Sequence, residues 1–145
     1  MRINDLMTKS VLTVSPEHSL RDVGKLMKEA RISGVPVVDE AKKIIGIVTL
    51  TDLEMILERL CSWEDAQDTA MLRIFQSTEN PDPAWKGNLA VKDVMSKDVV
   101  VVNADQTVDE VRRMMFKLKK HTFPVVKDNT VIGIVGQRDL IYSCF

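Results

Sequence analysis

Two aspartates stand where chemistry could be done. Asp52 follows the apolar run Ile44–Val48, and Asp139 follows Val131–Val135, each a few residues past the end of the run. A carboxylate placed there is open to a ligand without being forced into a core. It accepts two hydrogen bonds at a defined spacing, which suits a cis-diol such as the 2′- and 3′-hydroxyls of ribose. Thr49 lies three residues before Asp52 and adds a hydroxyl to the same turn. A hydroxyl beside the free N–H groups of a helix N-terminus makes an anion site. Diol, phosphate and an apolar slot between strands together describe a nucleoside phosphate. The same two residues are also good helix caps, so capping and ligand binding both stand at this point.

The elements that must position these residues are legible around them. Ser33–Leu53 (SGVPVVDEAKKIIGIVTLTDL) reads as a buried strand, a charged turn, a second buried strand and a helix start. Val35 precedes a proline and is biased to extended backbone. Ile44–Val48 lacks polar alternation, which predicts burial on both faces. Upstream, Ser10–Val14 is short, β-branched and closed by Ser15–Pro16, so it predicts a short strand. Ser19 opens a helix with Asp22 at the capping-box position. Leu20, Val23, Met27 and Ala30 fall on one face of it. Beyond Leu50, the residues Leu53, Ile56, Leu57 and Leu60 form the stripe of a second helix.

The chain then repeats itself. Asp5–Val38 aligns with Asp93–Val126 at a constant offset of 88, and Gly46–Leu53 aligns with Gly133–Leu140 with 5 of 8 positions identical. Fixed-period similarity of this kind marks a duplicated structural unit. In the second copy Val99–Val102 predicts the short strand, and Thr107 with Glu110 a capping box. Val108, Val111, Met114 or Met115, and Leu118 face the core. Phe123–Val126 and Val131–Val135 pair as strands, and Asp139–Phe145 starts a closing helix. The domain plan is residues 1–60, a linker over 61–89, and residues 90–145. The linker reads as helix to about Gln76 and as loop over Ser77–Asn88. Its Trp63 and Trp85 pack it onto the core or another subunit, or stack on a ligand.

A unit of about 50 residues is near the lower limit for burying its own core. The predicted fold class is therefore α/β (α+β): two β-α-β-β-α repeats packed sheet to sheet as a pseudo-twofold pair. Two related clefts are expected where the sheets meet. The formal charge of −1, from 20 Lys+Arg and 21 Asp+Glu, gives no reason to expect nucleic acid or an anionic membrane as partner. The basic run Arg112, Arg113, Lys117, Lys119, Lys120 reads as a solvated face. Apolar runs are too short to span a bilayer, and the N-terminus has no secretory h-region. Two distant cysteines, Cys61 and Cys144, point to a reducing cytoplasm. His18, His121 and the cysteines have no metal-ligand spacing. With no nucleophile–base pair and no phosphate-cradling glycine loop in the sequence, an enzyme is not expected.

The ordered set Val14-Ser15-Pro16, Ser19 to Asp22, Pro36-Val37-Val38 and Gly46–Leu53 (GIVTLTDL) resembles a CBS domain, the cystathionine β-synthase domain. Pro124-Val125-Val126 and Gly133–Leu140 (GIVGQRDL) resemble a second, and tandem CBS domains form a Bateman module. The resemblance implies a regulatory module for adenosine-containing ligands: AMP, ADP, ATP or S-adenosylmethionine. It implies that Asp52 holds the ribose and Thr49 the ribose or phosphate. Backbone groups of Val11–Thr13 and Val99–Val101 would read adenine. Ser33 and Gly34 in one copy, and Lys120, His121 and Thr122 in the other, would touch phosphate. The second copy has Gly136 in place of the hydroxyl and keeps Asp139, with Arg138 as a further cation. The family also implies a homodimer and a regulated protein acted on in trans. A ligand-free dimerisation scaffold is the alternative reading.

Overall fold

The computed structural model describes residues 1–61 and 89–145. The continuation of the linker helix, the loop over 77–88 and both tryptophans lie outside the described residues. Each half is built on an antiparallel hairpin. In the first, β1 (Gly34–Val38) pairs with β2 (Ile44–Thr49), with Val35 opposite Val48. Asp39 Oδ1 closes the turn by accepting the N–H groups of Ala41 and Lys43, both at 2.9 Å. In the second half, β4 (Thr122–Lys127) pairs with β5 (Thr130–Gly136), with Phe123 opposite Val135. Its two-residue loop, Asp128 and Asn129, has φ of 51° and 66°, the primed-turn geometry that matches strand twist. Both hairpins slip register at the equivalent place, Val37/Val38 and Val125/Val126.

The short leading strands are smaller than expected. Over residues 10–14 only Val14 bridges, in parallel, to Val37. Val14 N–H donates to Pro36 O at 3.0 Å and Val38 N–H donates to Val14 O at 2.9 Å. Leu12 and Thr13 are exposed and lie outside any strand, so β-branched composition there has nothing to pack against. In the second half the strand is β3 (Val102–Asn103), not 99–102, and it runs parallel to β4. The sheets are thus β1-β2 and β3-β4-β5.

The helices follow their caps. Ser19 Oγ accepts Asp22 N–H at 3.1 Å and opens α2 (Leu20–Ala30), which buries Leu20, Val23 and Met27. Numbering in chain order, α1 is Ile3–Leu6, α3 is Leu50–Cys61 and α4 is Val91–Val94. A full capping box, Thr107 N–H to Glu110 Oε2 at 2.9 Å and Glu110 N–H to Thr107 Oγ1 at 3.2 Å, opens α5 (Val108–Leu118). It buries Val108, Val111 and Met115, with Met114 packed alongside. Ala30 and Leu118 were expected in the core and are exposed. They are equivalent residues at the last position of each helix. The next residues, Arg31 and Lys119, are left-handed with φ of 55° and 54°, so the chain turns away and the final turn overhangs the core. The second closing helix, α6, is Gln137–Tyr142. In α3, Leu53 packs on the first core; the side chains of Leu57 and Leu60 lie outside the described set.

The two halves exchange their leading segments. Ile3 of α1 is fully buried with Val102, Val111, Phe123, Val135 and Leu140 of the second half. Val91 of α4 is fully buried with Val14, Val23, Val35 and Val48 of the first. Each arm is pinned by a backbone bridge: Thr8 to Ile134, and Ser96 to Ile47. The arms also explain two glycines. A Cβ on Gly46 would stand 2.5 Å from Met95 Sδ, and one on Gly133 would stand 2.6 Å from Met7 Sδ. The hairpins themselves touch through the Lys43–Thr130 bridge, with Lys43 Nζ donating to Asp128 O at 2.6 Å.

Candidate functional site

The end of β2 delivers Thr49 to the N-cap of α3, and Asp52 falls in the first helical turn. Asp52 Oδ2 accepts Thr49 N–H at 2.8 Å and the Thr49 hydroxyl at 3.0 Å. Asp52 N–H returns a bond to Thr49 Oγ1 at 3.3 Å. The carboxylate's other oxygen, Oδ1, accepts the Ser96 hydroxyl at 2.9 Å, from the exchanged arm. Thr49 and Asp52 therefore do cap the helix, and they do so at the lip of a cleft.

That cleft has a volume of about 970 Å³ and is lined by both strand-to-helix junctions. Both junctions open onto it, so the two related clefts expected there adjoin one another. It brings together Ser33, Gly34, Thr49, Asp52, Val99, Lys120, His121 and Arg138. It does not include Val11, Thr13, Val101 or Asp139. Val99 reaches it because the Ser96–Ile47 bridge draws the segment across β2; by Val102 the chain has entered the second sheet. Asp139 is half-buried, and its Oδ2 accepts Gly136 N–H at 2.9 Å. Gly136 has φ of −113°, ordinary extended backbone, so glycine there is not a steric necessity.

Ser33 and Gly34 meet the second half directly. Ser33 Oγ lies 3.3 Å from Thr122 Oγ1, and a Cβ on Gly34 would come to 3.0 Å from Thr122 Cγ2. The hairpin starts therefore close on each other at the floor of the cleft. Several lining residues were missed from sequence. Leu118 lines it instead of the core, beside Ile32, Leu50 and Met55. Ser96 was also missed, although its equivalence to Thr8 could have marked it.

Charge is unevenly spread. Asp52, Glu54 and Asp98 line the first junction's end, while Arg31, Lys119, Lys120 and Arg138 supply cations. Among the described residues the ion pairs are Lys92–Glu17 and Arg112–Asp109, neither in the cleft. None of the four cations forms an ion pair among the described residues. No group of three or more His, Cys, Asp or Glu placed to hold a metal occurs among the described residues.

Fold and cleft together define a duplicated α/β module whose two strand-to-helix junctions open onto a common cleft. The chain belongs to the CBS domain family: its sequence matches CBS domains over residues 3–58 and 91–144, a tandem pair. It is 32% identical to inosine-5′-monophosphate dehydrogenase of Korarchaeum cryptofilum over 97% of this chain. It spans only 24% of that enzyme, and 23% of the Methanocaldococcus jannaschii enzyme of the same name. Protein MJ1426 of Methanocaldococcus jannaschii is 31% identical, over 97% of this chain and 89% of that one. In structure, the CBS domain pair of protein MJ0100, in complex with 5′-methylthioadenosine and S-adenosylmethionine, superposes with a TM-score of 0.77 at 23% identity, covering 99% and 95% of the two chains. CBSX2 of Arabidopsis thaliana in complex with AMP gives 0.72 at 23% identity, covering 99% and 95%. These two likenesses establish the fold as a mixed α/β CBS pair. No helix among the described residues is long and apolar enough to cross a membrane.

Proposed function

We propose that the cleft is a regulatory site for an adenosine-containing ligand, of the AMP, ADP or ATP class or S-adenosylmethionine. The observation that carries the reading is Asp52 with Thr49 at a cleft also lined by Lys120 and Arg138, neither of them in an ion pair among the described residues. A carboxylate facing ribose and cations facing phosphate match a nucleotide from end to end. Relatives of the same fold bind AMP, S-adenosylmethionine and 5′-methylthioadenosine, which supports the class. Ser33, Gly34, His121 and Val99 complete the wall on this reading. Asp139 with Val11, Thr13 and Val101 would serve a second, weaker position outside it. Residues 1–60 and 90–145 act as the two repeats and 61–89 as the linker. Dehydrogenase activity does not carry over, because the shared segment is about a quarter of those enzymes. The module acts as a cytoplasmic homodimer that biases a separate protein in trans. Its ligand shifts that equilibrium only by its differential affinity for the two arrangements.

A thermal-shift panel of AMP, ADP, ATP and S-adenosylmethionine tests the reading. Ligand at about 100 times its dissociation constant adds about 2.7 kcal/mol of stability. Asp52→Ala, still folded by circular dichroism, keeps about half of that shift or less at the same ligand concentration. A flat panel with the wild-type chain refutes the nucleotide reading. It would favour the second reading, a ligand-free dimerisation scaffold, to which the exposed Phe116 and Tyr142 lend support.

A further inference from the structure

Asp52 is already well supplied with donors. Oδ2 takes two, from the Thr49 backbone and hydroxyl, and Oδ1 takes one, from Ser96. A carboxylate offers about four lone-pair positions. One remains, on Oδ1. A ribose diol brings two hydroxyl donors, so the second has no acceptor on Asp52 while the Ser96 bond persists.

We propose that Ser96 is a positioning residue that competes with the ligand's ribose for Asp52 Oδ1, and so sets both affinity and the value of the 2′-hydroxyl. The inference rests on the nucleotide reading of the cleft. Three observations support it. Ser96 lines the same cleft as Asp52. Its backbone is fixed to Ile47 by a pair of bonds at 2.9 and 3.0 Å, so only the hydroxyl has to rotate away. The arrangement is also confined to one junction. Thr8, the equivalent of Ser96, is exposed and gives no side-chain bond to Asp139 among the described residues.

The test is calorimetric titration of the full chain with AMP and with 2′-deoxy-AMP, for the wild type, Ser96→Ala and Ser96→Thr. Removing the competing hydroxyl frees one acceptor position, and one net hydrogen bond amounts to about fivefold in affinity. Ser96→Ala is expected to bind AMP about fivefold tighter, with 2′-deoxy-AMP little changed, so the preference for the 2′-hydroxyl widens by the same factor. Ser96→Thr keeps the hydroxyl and the wild-type preference. A merely structural serine would change both ligands alike. Unchanged or weaker AMP binding in Ser96→Ala, or an unchanged 2′-deoxy ratio, overturns the competition while leaving the nucleotide site standing. Absence of AMP binding in the wild type overturns the competition for AMP; the nucleotide reading itself falls only when ADP, ATP and S-adenosylmethionine also fail to bind.

Discussion

At the first junction Asp52 Oδ2 takes the N–H of Thr49 at 2.8 Å; at the second, Asp139 Oδ2 takes the N–H of Gly136 at 2.9 Å. The backbone device is the same and the surroundings are not. The first carboxylate also collects two hydroxyls, from Thr49 and from Ser96 on the exchanged arm. The second collects neither, because Gly136 has no side chain and Thr8 stays in solvent. The exchanged arms themselves use the same backbone bond: Arg2 N–H to Asp5 at 3.0 Å, and Ala90 N–H to Asp93 at 3.1 Å. A carboxylate on the third residue of a helix is therefore what the fold reuses to start helices. The hydroxyls and the cleft are what distinguish one start as the candidate site.

That contrast can be broken in graded steps. Phe123 and Val35 are equivalent and both fully buried, but the aromatic side chain fills more of its core. Phe123→Ala is expected to cost about 4 kcal/mol and Val35→Ala about 2 kcal/mol in urea unfolding. Equal costs would mean that the halves are packed alike. Next, Asp52→Ala weakens nucleotide binding about 10- to 100-fold, the range for a bond to a charged group. Asp139→Ala leaves it little changed, and titration calorimetry reads both. An equal loss would relocate the site. Gly46→Ala and Gly133→Ala each press a methyl on a methionine and on a carbonyl, at 3.2 Å from Ser96 O and 3.0 Å from Thr8 O. Each is expected to cost about 1–3 kcal/mol. Unequal losses in thermal unfolding would show that the two arms dock differently. Smallest, Gly136→Thr supplies the missing cap hydroxyl without a clash, the new Cβ meeting Asp139 Oδ2 at an ordinary contact distance of 3.7 Å. It should add a few tenths of a kcal/mol, and Thr49→Gly should remove as much. Denaturation midpoints resolve the sign.

Much of this was legible in the sequence. The hairpins follow from Pro36 and Pro124 and from apolar runs without alternation. The caps follow from Ser19, Thr107 and Thr49. Asp52 was marked by its place after a buried strand. Three features were not legible, each for a physical reason. Helix ends at Ala30 and Leu118 continue the apolar period, but left-handed Arg31 and Lys119 lift them off the core. Neither residue is a glycine, so the turn left no compositional mark. Val11 to Thr13 are strand-like in type and lack a neighbouring strand. The arm exchange was hidden because periodicity reports which residues are buried, not in which core. The faint signal was Met7 and Met95, at the same offset, each needing a glycine opposite.

The exchanged arms also order events on the ribosome. The first half lacks Val91 and Met95 until the chain has been made past the linker, whereas Ile3 is present from the start and waits for its own core. Domains usually fold as units as they emerge. Here the first hairpin emerges with one wall of its core absent, and completing it coincides with synthesis of the second repeat. The two halves are therefore expected to become protease-resistant together, late in translation, and not one after the other.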